Sequence, residues 1–528
     1  MSWNNDPKME VSNIEYATSP SPSLGDKDNF DVQEHVVREF DVKEGYVLEA
    51  QEGETRLKTA LNGHTVLIPQ PSDDAEDPLN WSPKKKALLL IVVSLTAALP
   101  DYGSAVGAVT LIAQAKIWGL SPDTVNHSAV GNVLMLGIGG IFAIVMASYV
   151  GRAPTIFWFL VLALATAIWC AAAQSFESFM AARILNGFFE TVSQAIGLTF
   201  IQDVFFFHER VRKINIWSAF VILSPFVGPM ITAFMLTSQP WQSAFWLYTA
   251  LTGAFLILVV LFLDETYYDR RIAPSHQPPR KSRMLRLVGV EQMKSRKLRN
   301  TLWQSVMRPV KVISKPTVLL SCIYYLLIFS WSVGINTTLS IFLTNLYGFD
   351  FKGIGCFYFT PIVGALVGEI TGHWIHDFIA KRYIKTHNGH FNPEVRLRAA
   401  YIATPFLCAG LVLLGFSLER GWHYMVTSVA WGFYVFGIMV TTVTINSYNL
   451  DSYPEASGEV AAWINVFRVT GGTVISYFQV KWAAKSGPII SFGVQGAVCV
   501  AAFIIILVLQ KFGKAMRAKS GPLNFHTD

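Results

Sequence analysis

Five charged residues lie inside long apolar stretches of this 528-residue chain and are its strongest candidates for chemistry: Asp101, Arg183, Glu190, Glu369 and Arg468. A charge within a membrane span costs at least about 2.5 kcal/mol on insertion scales, so such residues usually serve a function. A carboxylate removed from water holds its proton more tightly, and a nearby guanidinium opposes this effect. The two residue types together therefore suit the binding and release of a proton.

The first three of these charges are expected at a similar depth in the membrane. Asp101 lies in the first apolar stretch, and Arg183 and Glu190 lie in the fourth, which runs in the opposite direction. Helical spacing puts Asn186 and Gln194 on the same face of the fourth stretch as the two charges. We predict a proton-coupling cluster of Asp101, Arg183 and Glu190; the alternative is a structural ion pair that fixes helix packing.

The other two charges are interpreted as parts of a gate. Glu369 lies among glycines that permit close helix approach, which favours a packing or gating role over the binding of a proton or a cation. Arg468 lies on a polar stripe of the eleventh stretch, and the acids at the inner membrane face, Asp451, Glu455 and Glu459, are its expected partners.

Aromatic and hydroxyl side chains recur at near-helical spacing in the seventh and tenth stretches. An aromatic wall with a few polar groups is typical of a ligand cavity between two halves of a transporter. Ordinary packing of these aromatics is the alternative. With the polar residues of the fourth stretch, the predicted substrate cavity comprises Asn186, Gln194, Tyr325, Trp331, Asn336, Tyr434 and Thr441.

Twelve apolar stretches must position these residues, and each is close to the roughly 20 residues that cross a bilayer as a helix. The chain is 52% hydrophobic and only 15% charged, which excludes a large water-soluble domain. We predict an all-α membrane protein with spans at 86–109, 127–149, 155–174, 178–203, 214–237, 241–263, 317–344, 353–379, 397–416, 421–449, 459–481 and 488–510.

Charge sets the predicted orientation, because Lys and Arg are retained on the cytosolic side. Connections on the side of the N-terminus and the central loop hold 29 Lys and Arg, against 5 on the other side, so both termini are expected in the cytosol. The predicted organisation is a disordered acidic tail, a six-helix bundle, a basic cytosolic loop, a second six-helix bundle and a short cytosolic tail: 1–82, 83–264, 265–316, 317–510 and 511–528.

Other chemistries have little support in the sequence. It contains no phosphate-binding Gly-rich loop, metal-ligand cluster or hydrolase nucleophile motif, so we expect neither an enzyme nor a cofactor or metal. The basic pI follows from membrane topology, and nucleic acid is not an expected partner. One glycosylation sequon, beginning at Asn126, falls in the first external loop as the predicted topology requires.

Seven short motifs follow one another along the chain. They are Asp77-Pro78-Leu79-Asn80-Trp81, Gly151-Arg152-Ala153-Pro154, Arg183-Ile184-Leu185-Asn186-Gly187, Gly228-Pro229, Asp264-Glu265-Thr266-Tyr267, Asn392-Pro393-Glu394-Val395-Arg396-Leu397 and Tyr448-Asn449-Leu450-Asp451-Ser452-Tyr453. Each motif is weak alone, but in this order they make the chain resemble the major facilitator superfamily, and within it the fungal drug:proton antiporters with twelve spans.

The resemblance implies two six-helix bundles around a central cavity that opens alternately to the two sides of the membrane. It also implies that Arg183 is linked with proton coupling and that Gly151 and Arg152 belong to a cytosolic gating turn. Asp377 and Arg382, after the eighth span, resemble a second copy of that turn. Gly228 and Pro229 match the antiporter signature of the fifth span.

Proton-coupled export of a small organic compound, a xenobiotic or a secondary metabolite, is the favoured function. Proton-coupled uptake of a small solute is the first alternative, and a cation would suit it because Asp101 and Glu190 offer negative charge. A membrane sensor that transports nothing is the second. The expected partners are the substrate, protons and membrane lipid, and the expected form is a monomer in the cell membrane, or alternatively in the vacuolar membrane.

Overall fold

The computed structural model describes residues 39–41, 45–47, 67, 69–270, 277, 280–296, 300–386, 392–453, 456–521 and 523. Most of the predicted acidic tail, including residues 1–38 and 48–66, lies outside the described residues. A short hairpin pairs β1 (Glu39–Asp41) antiparallel with β2 (Gly45–Val47). Nearly all of the remaining structure is helical, so the predicted helical class is confirmed.

Among the described residues, ten α-helices precede residue 316. They are α1 (Pro83–Trp118), α2 (Pro122–Tyr149), α3 (Arg152–Ala172), α4 (Phe176–Glu190), α5 (Val192–Val204), α6 (Phe207–Met235), α7 (Trp241–Phe262), α8 (Arg283–Val288), α9 (Val290–Lys294) and α10 (Leu302–Ile313). Seven follow: α11 (Pro316–Tyr347), α12 (Phe351–Phe357), α13 (Phe359–Thr386), α14 (Ala400–Glu419), α15 (Tyr424–Ser452), α16 (Ser457–Ser486) and α17 (Pro488–Ser520).

Local sequence signals define the ends of these helices. Ser82 caps α1 by accepting a hydrogen bond from the Lys85 N–H, and Pro83 supplies the fixed φ of a first helical residue. Gly119 and Gly348 end α1 and α11 with φ of 65° and 64°, a conformation that costs other residues strain. Capping residues therefore determine where these helices begin and end, whereas burial of apolar side chains stabilises their interiors.

Eleven helices in the described part of the chain are long and apolar enough to cross a membrane, with α4–α5 and α12–α13 each forming one span. The predicted eleventh span corresponds to α16, which has 30 residues but is less apolar, since it carries Glu459, Arg468 and Lys481. The count of twelve spans thus stays a prediction. Large apolar side chains such as Ile138, Ile257 and Ile504 remain exposed on the outer helix surfaces, as expected where lipid replaces water.

The helices before and after the α8–α10 region pack as two groups that meet along a central seam. In the first group α1 packs on α6 and α7, and α2 packs on α4; in the second, α15 packs on α13 and α14, and α11 on α16 and α17. The seam is formed by α2 and α5 against α16, α1 against α11, and α6 against α12 and α13. We name the side that carries residues 264–316 the loop face and the opposite side the far face.

Candidate functional site

A cavity of about 130 Å³ lies on the seam between the two helix groups. On α15 and α16 its lining residues belong to the half of the helix nearer the loop face, so the cavity extends from mid-membrane toward that face. Most of its lining is apolar. Its polar and aromatic lining residues are Asp101, Ser104, Gln194, Trp217, Ser218, Phe226, Tyr325, Phe329, Ser332, Asn336, Thr442, Asn446, Asn465 and Arg468.

An ion pair between the two helix groups dominates the chemistry of the cavity. Arg468 of α16 donates from Nη2 to Asp101 Oδ1 at 3.1 Å and from Nη1 to Asp101 Oδ2 at 3.2 Å. Gln194 Nε2 of α5 donates to the same carboxylate at 2.7 Å, and Arg468 Nε donates to Asn465 Oδ1 at 3.1 Å. The carboxylate and the guanidinium are thus paired, hydrogen-bonded and in contact with the cavity.

Arg183 does not join this pair, contrary to the predicted cluster. Its side chain is 0% exposed and donates to the backbone carbonyls of Gly103 at 2.7 Å and Ser104 at 2.9 Å. The guanidinium also lies 5.4 Å from the ring centroid of Phe245. A methyl group on Gly107 would come within 2.9 Å of Arg183 Nη2, so a glycine is needed for α1 to approach α4 here. Arg183 therefore ties α4 to the middle of α1.

Glu190 lies in the interior of the first helix group, away from the cavity. Its side chain is 0% exposed, and neither carboxylate oxygen accepts a hydrogen bond from the described residues. The Tyr248 hydroxyl and the Arg183 guanidinium are the polar groups with the strongest electrostatic interaction with this carboxylate. The Tyr248 hydroxyl donates to Asn186 Oδ1 at 3.1 Å. Glu190 and Arg183 form no ion pair in the described structure, so the predicted three-residue cluster is divided between two places.

The predicted cavity residues also divide. Gln194, Tyr325 and Asn336 line the cavity. Asn186 instead binds Thr166 and the Ala163 carbonyl, and Tyr434 donates to the Ile328 carbonyl at 2.7 Å.

The remaining two predicted residues are buried within the second helix group. Thr441 is buried and donates to the Gly437 carbonyl, while Trp331 faces Cys499 of α17. These helices are apolar on every side, so spacing alone did not show which side faces the cavity. Thr442, one residue on, lines it and accepts or donates a hydrogen bond with Tyr325 at 2.9 Å.

Residues 90–476 match the model of the Major Facilitator Superfamily, which is more than half of the chain. The chain belongs to the major facilitator superfamily. It is therefore a multi-pass membrane transporter of small molecules and not an enzyme. The predicted family, and with it the fold, is confirmed.

Fungal transporters are among its relatives. MFS-type transporter hepF of Aspergillus oryzae is 25% identical over 419 residues, covering 76% of this chain and 84% of the relative. Efflux pump radE of Floropilus chiversii is 24% identical and covers 84% of each chain. Multidrug transporter FLR2 of Candida glabrata is 24% identical, covering 85% of this chain and 77% of the relative. The chain is thus similar to fungal transporters, one of which is named an efflux pump and another a multidrug transporter.

Solved structures give the same fold. The proton:xylose symporter XylE, bound to 6-bromo-6-deoxy-D-glucose, matches with a TM-score of 0.59 at 14% identity, covering 82% of this chain and 96% of XylE. The human organic anion transporter MFSD10 matches with a TM-score of 0.55 at 17% identity, covering 81% and 100%. At such low identity the likeness establishes the fold alone.

The predicted gating turn of the transporter, at Gly151 and Arg152, lies on the loop face. Gly151 has φ 125°, which lets the chain turn sharply between α2 and α3. Arg152 forms an ion pair with Asp203 at the end of α5, and its backbone N–H donates to Glu265 Oε1 at 3.2 Å. Thr266 donates to Asp203 at 2.6 Å. The turn therefore fastens the segment after α7 to the ends of α3 and α5.

Residues 69–82, which the sequence analysis assigns to the tail, are docked on the loop face. Asp77 is buried and accepts two hydrogen bonds from Arg270, at 2.9 and 3.1 Å. Burial raises the pKa of Asp77, but the hydrogen bonds and charge of Arg270 and the N–H groups of Leu79 and Ser72 lower the pKa below its ordinary value. The Asp77 carboxylate is therefore ionised and holds the loop segment at Arg270 against the chain before α1.

A second acid on the loop face links the start of α1 to α8. Asp264 accepts from Lys85 at 3.0 Å and from Arg286 at 3.0 and 3.1 Å. Burial raises the pKa of Asp264, while the two cations lower it below its ordinary value. Lys85 also lies 3.6 Å from the ring centroid of Trp81. The segments that contain Asp77 and Asp264 thus have a common role, since each supplies an acid that pairs with basic residues on the loop face.

The second helix group has its own acid–base network on the loop face. Asp451 pairs with Arg396 at 2.9 Å, and Glu394 pairs with Arg517 at 2.7 Å. Glu459 pairs with Arg308 of α10 at 2.7 Å. Two of the partners predicted for Arg468 are therefore wrong, because Asp451 and Glu459 are bound by cations nearer the surface.

Three other predicted partners of the gate can be placed only in part. The third partner predicted for Arg468, Glu455, lies outside the described residues, as does the side chain of Asp377. Arg382 is exposed near the end of α13. The proposed second copy of the gating turn therefore stays a prediction.

Two further predicted gating positions lie inside the membrane. A methyl group on Gly228 would come within 2.9 Å of the Tyr102 carbonyl oxygen, so Gly228 and Pro229 mark a close crossing of α6 and α1. Glu369 is half-buried on α13, and its Oε2 has no hydrogen-bond partner among the described residues. Neither observation assigns these positions a role in gating.

Contacts between α2 and α16 close the far face. Asp123 pairs with Lys481 at 2.9 Å, and His127 stacks on Tyr477 with 4.8 Å between ring centroids. Asn126 is 2% exposed and donates to the Ser476 carbonyl at 3.2 Å. The predicted glycan on Asn126 does not fit this conformation, because the amide is enclosed between the two helices.

Proposed function

We propose that the chain is a proton-coupled exporter that moves a small organic compound by alternating access. The observation that carries the proposal is the Asp101–Arg468 ion pair, which lies in the cavity and joins α1 of one helix group to α16 of the other. Separating these charges without neutralising one of them leaves a buried charge unpaired, which is costly. A proton on Asp101 removes that cost and so couples proton binding to relative movement of the groups.

The cavity also supports competition between proton and substrate, which an antiporter requires. With Asp101 ionised, the pair is neutral and the rest of the lining is mainly apolar, as an uncharged organic compound needs. With Asp101 protonated, Arg468 carries an uncompensated positive charge that must stay hydrated. The protonated cavity therefore binds water better than an apolar compound, and substrate and proton exclude one another.

The two faces of the cavity are compatible with export. The far face is closed by the contacts around Asp123, His127 and Lys481, and the cavity extends toward the loop face. On the topology expected from the positive charges, this conformation loads substrate from the cytosol. The efflux names of the relatives support export.

Uptake of a cationic solute receives less support than export. Asp101 is already neutralised by Arg468, and Glu190 is outside the cavity, so the negative charge that favoured a cation is not presented to it. We place the transporter as a monomer in the cell membrane, with the vacuolar membrane as the alternative. Glu190, buried beside Arg183, is proposed as a second proton-binding group.

The test is a comparison of small metabolites and added xenobiotics in medium and cells by mass spectrometry. Hosts would express the intact chain, Asp101→Asn, or Glu177→Gln, which removes an exposed charge outside the cavity. We expect one or more compounds to be enriched in the medium with the intact chain and Glu177→Gln, but not with Asp101→Asn. Accumulation of a compound inside cells that express the intact chain would support uptake and contradict export. Equal export by all three proteins would remove Asp101 from the mechanism.

A further inference from the structure

The helices of the central loop run along the outer edge of the transporter at the loop face. Arg283 of α8 donates to the carbonyls of Val260 and Leu261 at the end of α7. Trp158, half-exposed on the outer side of α3, donates from Nε1 to the Val288 carbonyl at 3.1 Å. Helix α8 is therefore fixed to the same outer surfaces of α3 and α7 that face lipid deeper in the membrane.

The next helix continues along this edge. Asn300 donates to Ser148 of α2 at 3.2 Å, and Arg296 lies 4.9 Å from the ring centroid of Tyr149. At its other end α10 is bound to α16, where Trp463 Nε1 donates to the Pro309 carbonyl at 2.8 Å. Helices α8, α9 and α10 thus form a collar past α7, α3, α2 and α16.

The collar leaves a row of large apolar side chains uncovered. Trp303 is 70% exposed, Met293 59% and Leu302 50%. In α10 the buried positions alternate with exposed apolar ones at helical spacing, so the helix is amphipathic with its outer side apolar. The exposed apolar residues of the collar are Met284, Leu285, Val288, Val290, Met293, Leu302, Trp303, Val306 and Val310. A water-facing loop does not ordinarily expose such a row.

Basic side chains accompany this apolar row. Lys281, Lys294 and Arg296 are exposed, and no ion pair is found for them in the described structure. Apolar residues flanked by Lys and Arg, on a helix parallel to the membrane edge, fit the boundary between acyl chains and anionic headgroups. A soluble acidic protein would match the charges but not a row continuous with the lipid-facing sides of α3 and α7.

We propose that the α8–α10 collar is seated in the headgroup layer of an anionic leaflet on the loop face. The apolar row, with Trp303 and Met293, enters the acyl boundary, and Lys281 and Lys294 contact lipid phosphates. Trp is favoured at this depth because its ring is amphipathic. The inference does not depend on the direction of transport or on proton coupling.

The first experiment places an environment-sensitive NBD dye on the full chain in lipid nanodiscs of phosphatidylcholine with about a third phosphatidylserine, a composition chosen to make the leaflet anionic. The dye is attached through Trp303→Cys or, as the control, Glu76→Cys, an exposed site on the same face; the unsubstituted chain gives the background from native cysteines. We expect the dye at 303 to emit at shorter wavelength, and to be quenched by lipids carrying bromine near the headgroup. Aqueous iodide should quench only the dye at 76.

The second experiment tests the charges. In Lys281→Glu/Lys294→Glu we expect the phosphatidylserine that copurifies with the chain to fall relative to phosphatidylcholine, while Asp350→Lys on the far face leaves that ratio unchanged. Equal iodide quenching at 303 and 76 would overturn the proposal. A shift at 303 that appears only as protein concentration rises, in detergent without lipid, would overturn it in favour of a second copy of the chain. An unchanged lipid ratio in the double variant would refute the role of the lysines.

Discussion

Replacing Asp101 by Asn isolates the electrostatic part of the central ion pair. Asn keeps the size of Asp and can still accept from Gln194, so the change removes the negative charge with little change in packing. Arg468 then remains within the cavity with Asn465 and Gln194 as hydrogen-bond partners but without a counter-charge. The variant should therefore report the free energy of leaving this guanidinium unpaired.

The expected loss of stability follows from burial. Removing one partner of a fully buried ion pair costs about 3–5 kcal/mol. Here the side chains of Asp101 and Arg468 are 11% and 13% exposed and contact the cavity, so water screens part of the charge. We therefore expect Asp101→Asn to lower the free energy of unfolding by about 1–3 kcal/mol.

The assay is thermal unfolding of the purified variants in one detergent, read as a shift in Tm. The double variant Asp101→Asn/Arg468→Gln removes both charges and should recover most of the loss, although it should remain inactive in transport. Lys481→Gln, which breaks the exposed far-face pair, should leave Tm unchanged. If the double variant is no more stable than Asp101→Asn, the two charges do not interact as the geometry requires and the reasoning fails.

Three further predictions follow. Gly139→Ala should lower stability by about 1–3 kcal/mol because its methyl group would overlap the Phe188 carbonyl oxygen, whereas Gly493→Ala, with open space around it, should be neutral or stabilising in a thermal scan. Linking Asp123→Cys to Lys481→Cys with a short reducible thiol crosslinker should stop transport, and reduction should restore it; transport that continues while crosslinked would exclude opening at this point. The Asp77–Arg270 contact stabilises the docked segment fully above the ordinary Asp pKa, and this stabilisation is lost as pH falls through the lowered pKa of Asp77. Limited proteolysis within residues 69–82 should therefore be slow at pH 5–8 in the intact chain and fast at every pH in Asp77→Asn. Equal cleavage rates for the two proteins would refute the role of this contact.

The sequence located the spans and the costly charges because both depend on local composition. Asp101 stands out within an apolar stretch wherever its partner lies. Arg468 is 367 residues away in the other helix group, and no local pattern predicts that pairing. The acids Asp451 and Glu459 are expected partners because they lie at the inner membrane face, but Arg396 and Arg308 bind them instead.

The sequence also does not show which side of an apolar helix lines the cavity. Thr441 and Thr442 differ by about 100° around α15, and only the second lines the cavity. A soluble helix would reveal its inner side by a polar outer side, whereas a helix in lipid is apolar on both. Asn446 and Trp217 of the cavity lay outside the predicted set for the same reason.

Helix α10 bears on how the two helix groups can move. It is fastened at one end to Ser148 of α2 and at the other to Glu459 and Trp463 of α16. Helix α10 therefore holds the loop-face ends of α2 and α16 at a fixed separation. If it persists through the cycle, α2 and α16 cannot spread apart at the loop face, and the entrance there must widen on the side of α6 and α13. The transporter would then open at the loop face only between α6 and α13, while α2 and α16 stay together. A substrate wider than the α6–α13 opening would be excluded by its size, whatever its polarity or charge.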